Sequence, residues 1–244
     1  MLKKLVCWIT HLSLLAAFAA GAAEDDEPLL VRLFADDLSG LTPGMFSAGV
    51  IGAQVEYHYL PIIAPRGNWV VSSWRSEGTQ RAWRVLVENG RTTMYQADTL
   101  VENERPYTHT MVVAGDELWR DYTLHTSFAP ENDTGQSGIA FCYRHDRAYY
   151  FVGVIGQRAV LKKVNGGKAF RVLDETVLAE APFAWKPGEE ISVVASAIDG
   201  DVRATLGGRV TLTARDSAFP QGKIAFTADV PGRFYGVEVI CAPI

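Results

Sequence analysis

Cysteine is scarce, with three in 244 residues, and one of them, Cys7, falls inside an amino-terminal apolar stretch. No Cys-x-x-Cys pair or comparable metal-ligand spacing occurs, so zinc is not expected. Beyond that stretch only Cys142 and Cys241 remain. In an oxidising compartment they could form a disulfide, and the alternative is two buried thiols. Basic charge is in deficit as well: 23 Lys and Arg stand against 28 Asp and Glu, a net charge of −5. The lack of a Lys/Arg cluster or stripe to neutralise phosphates disfavours a nucleic acid or an anionic membrane as partner. Helical periodicity, internal repeats and low-complexity tracts are absent too, and after the leader no apolar run approaches the roughly 20 residues a membrane span needs.

The chain begins with Lys3 and Lys4, then an apolar stretch from Leu5 to Ala20 broken only by Thr10, His11 and Ser13, then Ala20-Gly21-Ala22. A short positive region, an apolar core and small residues before a cut make a secretory signal over residues 1–22. Acidic Glu24 to Glu27 follows at once, which suits cleavage better than anchoring. The mature chain, residues 23–244, is therefore expected to be secreted or periplasmic, with no membrane span. Removal of Lys3 and Lys4 makes it more acidic still. A hydrophobic fraction of 48% supplies a sizeable core, and one domain of this length is ordinary for an all-β protein.

Turn signals recur every eight to twelve residues between short β-prone runs. Arg81 to Glu88, then Asn89-Gly90, then Arg91 to Ala97 reads as a hairpin, because Asn-Gly accepts the positive φ angles of a type I′ turn. Val160 to Val164, Asn165-Gly166-Gly167 and Lys168 to Leu173 make a second, and further turns fall at Asp199-Gly200 and Gly207-Gly208. A strand from Ala53 to Leu60 is expected between Pro-rich loops. Period-two alternation sorts the faces: Tyr122, Leu124 and Phe128 against Thr123, His125 and Ser127; Ile139, Phe141 and Tyr143 against Ala140, Cys142 and Arg144; Ile191, Val193 and Ala195 against Ser192, Val194 and Ser196. A dozen or more strands with one apolar face each require an antiparallel sandwich or barrel.

Several segments carry a resemblance: Leu118-Trp119-Arg120-Asp121-Tyr122, Ser137-Gly138-Ile139-Ala140-Phe141-Cys142-Tyr143-Arg144, Tyr149-Tyr150-Phe151, Trp185-Lys186-Pro187-Gly188, Asp216 to Ile224, and Arg233-Phe234-Tyr235-Gly236-Val237. In order and spacing these resemble the concanavalin A-like lectin and glucanase superfamily, in its laminin G-like and 3-keto-disaccharide hydrolase-like branches. The resemblance covers about half of the chain. It implies an all-β, two-sheet antiparallel β-sandwich of the jelly-roll kind, with Trp119 and Trp185 as packing residues and a carbohydrate as partner. It does not bring a catalytic set. The Glu-x-Asp-x-x-Glu strand of one glycosidase branch is missing. The Arg75-Ser76-Glu77 and Tyr149-Tyr150-Phe151 fragments look like alginate-lyase strands, but no Gln-Ile-His lies between them. A Gly-x-Ser-x-Gly elbow is also absent.

Sugar recognition needs flat aromatic faces for pyranose C–H surfaces and planar polar groups for hydroxyls. Trp69, Trp74 and Trp83 occur close together with Arg75, Glu77 and Arg84 interleaved, so Trp74, Arg75 and Trp83 are carbohydrate-binding candidates. His125, Arg144, Tyr150 and Lys162, expected on the wet faces of successive strands, form the second candidate surface. No cofactor is expected beyond a structural calcium, for which Asp36, Asp37 and Asp229 are candidate ligands. Three functions remain open: an exported carbohydrate-binding or polysaccharide-processing module, a polysaccharide lyase or glycoside hydrolase working in a concave-sheet groove, and an envelope adhesion module.

Overall fold

The computed structural model describes residues 30–46, 66–72, 82–97, 109–167 and 173–241. The expected signal segment and the strand expected over Ala53 to Leu60 lie outside the described residues. Among them are seventeen strands and no helix. In chain order these are β1 (Val31–Asp36), β2 (Gly44–Met45), β3 (Val70–Ser72), β4 (Trp83–Glu88), β5 (Arg91–Gln96), β6 (Met111–Ala114), β7 (Tyr122–Pro130), β8 (Gln136–His145) and β9 (Ala148–Ile155). Then come β10 (Arg158–Gly166), β11 (Leu173–Pro182), β12 (Ile191–Ile198), β13 (Asp201–Leu206), β14 (Val210–Arg215), β15 (Lys223–Ala228), β16 (Gly232–Phe234) and β17 (Val237–Cys241).

All pairings are antiparallel, and they form two sheets. The first has ten strands: β14, β13, β12 and β7 run side by side, and β7 then feeds two branches. One half of β7 pairs with β17, which pairs with β1, and the other half pairs with β16, followed by β5, β4 and β2. The second has seven strands in the order β11, β10, β9, β8, β15, β6, β3. One apolar cluster drawn from both sheets lies between them, with Trp69, Trp83, Leu124, Phe128, Phe141, Tyr150, Leu161, Phe226 and Phe234 among its buried members. The chain is thus an all-β, two-sheet antiparallel sandwich.

The turn chemistry places the hairpins. Asn89 and Gly90 take φ of 51° and 77°, as a type I′ turn requires, and join β4 to β5. Asp199-Gly200 joins β12 to β13, and Gly207-Gly208 joins β13 to β14. The other hairpin differs from expectation. Its outgoing strand continues to Gly166, which pairs with Leu173, so the return strand is Leu173–Pro182 rather than Lys168 to Leu173.

Alternation holds along β7 and β12, whose inward residues are buried and outward ones exposed or half-buried. In β8 it breaks. Ile139 and Phe141 face the shared core, and so does Cys142, while Tyr143 joins a second apolar cluster on the outer face of the seven-stranded sheet. Cys142 sits at φ +47°, inside a register shift against both β9 and β15. This is a bulge, and extra residues in one strand reverse the facing of all that follow. Opposite it stands Gly222 at φ +147°, where an added Cβ would lie 2.5 Å from the Tyr143 carbonyl oxygen. The Cys142 N–H freed by the bulge donates to the Tyr122 hydroxyl at 2.7 Å, and that hydroxyl donates to the Lys223 carbonyl at 3.1 Å.

Of the two alternatives for the cysteines, the structure has thiols: Cys142 and Cys241 are both free, the first buried and the second half-buried. Cys142 belongs to the seven-stranded sheet and Cys241 to the ten-stranded one. Trp69, Trp83, Trp119 and Trp185 have packing roles. Trp69 stacks on Phe226 with ring centroids 4.6 Å apart, and its indole N–H reaches Asp36. Trp83 lies 5.3 Å from Phe234, Trp119 is half-buried, and the Trp185 indole donates to the Gly156 carbonyl.

Candidate functional site

A cleft opens on the outer face of the ten-stranded sheet, built from short-range rules. The Asn89-Gly90 turn sets Glu88 opposite Arg91. Met94 takes the inward position of β5, so Arg91, Thr93 and Tyr95 face outward. In β16 only Phe234 points into the core, which leaves Arg233 outward, opposite Tyr95 on one side and Ala129 on the other. The Tyr235 N–H donates to the Ser127 carbonyl at 3.1 Å and fixes the next outward residue. The resulting cavity, about 570 Å³, is lined by Glu88, Asn89, Ala129, Gly188, Arg233 and Tyr235. Its far wall is the Pro187-Gly188 turn, held where Gly188 N–H donates to the Pro130 carbonyl at 2.7 Å.

Two guanidinium–carboxylate systems meet at or beside the cleft, and of their residues Glu88, Arg233 and Tyr235 line the cavity. Arg233 donates Nε and Nη2 to Glu88 at 2.7 and 3.2 Å and Nη1 to Glu131, whose other oxygen accepts from the Tyr95 hydroxyl at 3.1 Å. Arg91 makes a two-pronged pair with Glu190 at 2.7 and 3.0 Å, and its guanidinium lies 3.6 Å from the centre of the Tyr235 ring. Ser127 also donates to Glu190. Hydrogen bonds from the arginines hold the Glu88 and Glu190 carboxyls below the usual range, and burial raises the Tyr95 and Tyr235 hydroxyls. The carboxylates are therefore ionised and the tyrosines neutral at ordinary pH. A pair of flat phenol rings beside planar, amphoteric ion pairs can offer a sugar both stacking and hydrogen bonds.

The outer face of the other sheet is different in kind. Met111, Val113, Tyr143, Tyr149 and Phe151 are fully or almost fully buried there. At its margin His109 donates Nδ1 to Asp229 at 2.7 Å and Nε2 to Glu175 at 2.6 Å. Lys162 bonds the second oxygen of Glu175 and the Gln136 amide oxygen, and its ammonium lies 5.1 Å from the Phe151 ring centre. Burial works against charge on His109, but the flanking Asp229 and Glu175 carboxylates outweigh it and raise the imidazole to about 9. Burial likewise opposes charge on Glu175, and its bonds to His109 and Lys162 bring it down to about 2. Both are ionised across the neutral range. A general acid or base works best with its pKa near the operating pH, so this set is suited to holding structure rather than moving protons.

The residues expected at a binding site are dispersed. Trp74 and Arg75 lie outside the described residues. Trp83 is in the core. His125 is exposed on the outer face of the ten-stranded sheet, opposite Val194 and Glu238, on the same side as the cleft. The expected surface of His125, Arg144, Tyr150 and Lys162 is not one surface. β7 and β8 are consecutive in sequence but belong to different sheets. Tyr150 points inward and donates its hydroxyl to Asp216 at 2.6 Å, Lys162 is 3% exposed on the opposite outer face, and Arg144 is exposed near the end of β8. The calcium candidates are engaged separately. Asp36 accepts from the Leu38 N–H and the Trp69 indole, Asp37 closes a turn onto Ser39, and Asp229 pairs with His109. Among the described residues no group of three metal-ligating side chains is found. The cleft residues Glu88, Arg91, Tyr95, Glu131, Glu190, Arg233 and Tyr235 were not singled out by sequence. The available signal was the outward half of β5 and β16, where Arg-x-Thr-x-Tyr and Arg-x-Tyr alternate with core residues.

No protein-family profile and no curated protein sequence matches the chain. Solved structures do. A carbohydrate-binding module CBM66 from Bacillus subtilis superposes with a TM-score of 0.51 at 14% identity, over 69% of this chain and 92% of that one. A xylan β-1,4-xylosidase from Bacillus halodurans C-125 gives 0.50 at 10% identity over 72% of this chain, and a bifunctional GH43-CE protein from Bacteroides eggerthii 0.50 at 12% over 71%. The matched region is 37% and 25% of those two longer chains. At such identities the likeness is one of fold.

Proposed function

We propose that this chain is an exported carbohydrate-binding β-sandwich module that takes a glycan into the cleft between the β4–β5 hairpin, β16 and the Pro187-Gly188 turn. The observation that carries the reading is the pairing of Arg91 with Glu190 over the Tyr235 ring beside the Arg233–Glu88–Glu131 set. Glycans are held by stacked rings and by planar groups able both to donate and to accept. The fold likeness to a carbohydrate-binding module over nearly all of that module's length supports it. The leader-like residues 1–22 support export, to the medium or the periplasm. Hydrolysis is not favoured: a glycosidase needs a carboxyl held protonated as its acid, and the cleft glutamates with shifted acidity are shifted the other way.

Incubating the mature protein with a panel of polysaccharides, read for both retention and product, tests this. Binding without release of reducing or unsaturated ends is expected. Tyr235→Ala should weaken that binding about two- to thirteenfold, since a stacked aromatic contributes roughly 0.5–1.5 kcal/mol, while the melting temperature stays near that of the parent. Unchanged binding by Tyr235→Ala would remove the cleft from consideration.

A further inference from the structure

We infer that the cleft selects neutral glycans, through neighbouring hydroxyl pairs, and discriminates against polymers bearing carboxylate or sulfate groups. The inference rests on the cleft being the glycan site, and it follows from how the charges there are already committed. Arg91 is paired with Glu190, and Arg233 with Glu88 and Glu131, so neither guanidinium is free of a carboxylate. All three nitrogens of the Arg233 guanidinium are bonded to carboxylates, and its plane lies 5.2 Å from the Tyr95 ring centre. Arg91 is held by both oxygens of Glu190 and by the Tyr235 face.

An incoming uronate would have to displace one of these carboxylates from its arginine and sit beside the others, with like charges a few ångströms apart. A neutral diol meets no such penalty. Each carboxylate has about four lone-pair sites and uses only some of them on arginine, and each guanidinium has five N–H groups. One hydroxyl can therefore donate to a glutamate while its neighbour accepts from the arginine. Arg84 stands outward on β4 opposite Tyr95, and Lys186 and Glu189 flank the Pro187-Gly188 turn, so the selection rests on how Arg91 and Arg233 are committed and not on net charge. Tyr95 and Tyr235 are neutral phenols, and Glu238, farther along the sheet beside His125, is paired with Arg32.

The test is titration of the chain with neutral polymers (a glucan, a xylan, a fructan) and with polygalacturonate, alginate and a sulfated glycan, at low and at high salt. At least one neutral polymer should bind, with an affinity that changes less than about twofold between roughly 20 and 500 mM salt, because there is no ligand charge to screen. The anionic polymers should bind at least about tenfold more weakly. The double variant Glu88→Gln/Glu131→Gln, which releases Arg233, should narrow that gap by several-fold. An anionic polymer that binds tighter than every neutral one, and is released by salt, overturns the selectivity and leaves the binding function standing. Binding of no polymer at all removes both.

Discussion

Alkaline pH should unlock the His109 ion group, and the loss can be worked from its surroundings. His109 is 17% exposed and donates to two carboxylates, which lift it from 6.5 to about 9. A base whose folded pKa lies above its unfolded value stabilises the fold fully below pH 6.5, and that contribution disappears as the pH rises through about 9. The gap, at 1.36 kcal/mol per unit, corresponds to about 3 kcal/mol. For a domain of this size that is roughly 6–12 °C in melting temperature. Glu175 acts in the opposite sense: lowered from 4.5 to about 2, it stabilises above pH 4.5 and loses that contribution as the pH falls toward 2. The stability plateau should therefore span about pH 4.5 to 6.5. Thermal melts followed by circular dichroism at pH 6 and pH 9.5 give the comparison, with His109→Gln as the control that lacks the titrating group. A parental midpoint that shifts by less than about 2 °C, or a His109→Gln variant with the same alkaline slope, would refute the reasoning.

Tyr122→Phe should cost about 1–3 kcal/mol in urea denaturation, because it strands the buried Cys142 N–H at the β8 bulge; an effect under about 0.5 kcal/mol would mean the bulge finds another acceptor. Gly222→Ala should be more damaging, since its Cβ would press on the backbone of Tyr143 and Cys142 at a φ that L residues avoid, and a fall in soluble yield or a melting loss of several degrees is the readout. Phe151→Ala should lower stability by about 3–5 kcal/mol and leave glycan affinity of the surviving folded fraction unchanged. Arg233→Ala should do the reverse, and calorimetry on both variants separates the two faces.

The sequence was most informative where structure depends on neighbours. Asn89-Gly90, Asp199-Gly200 and Gly207-Gly208 each mark a reversal because each places residues that tolerate positive φ between β-prone runs. Alternation along Tyr122 to Phe128 and Ile191 to Ala195 gave the buried face correctly, since nothing interrupts either ladder. What could not be read was set by distant pairing. β7 and β8 follow one another yet enter different sheets, so His125 and Lys162, assigned alike to wet faces, end on opposite sides of the molecule. The Cys142 bulge is held by a hydroxyl twenty residues earlier and by a glycine eighty residues later, and no local pattern announces it. The cleft draws Glu88, Glu131, Glu190 and Arg233 from four separate segments. Each alone looks like an ordinary solvated charge.

The contrast between the two outer faces decides where a ligand can act. On the seven-stranded sheet the outward positions hold buried aromatics, and beside them His109 uses both ring nitrogens and Glu175 both oxygens, while Asp229 Oδ1, Gln136 Nε2 and the Tyr149 hydroxyl are buried without a partner among the described residues. Lys162 there is 3% exposed, so a ligand that separated it from Glu175 would leave a buried ammonium without its carboxylate. On the ten-stranded sheet the arginines are 54% and 29% exposed and the carboxylates between 34% and 43%. Their ion pairs are in contact with solvent, so a sugar hydroxyl can replace a water without separating them. Pairing also keeps the side chains in place before the ligand arrives, which reduces the ordering cost of binding. The same ion pairs that would be inert as buried structure therefore become, at the surface, a preorganised polar template beside two tyrosine rings.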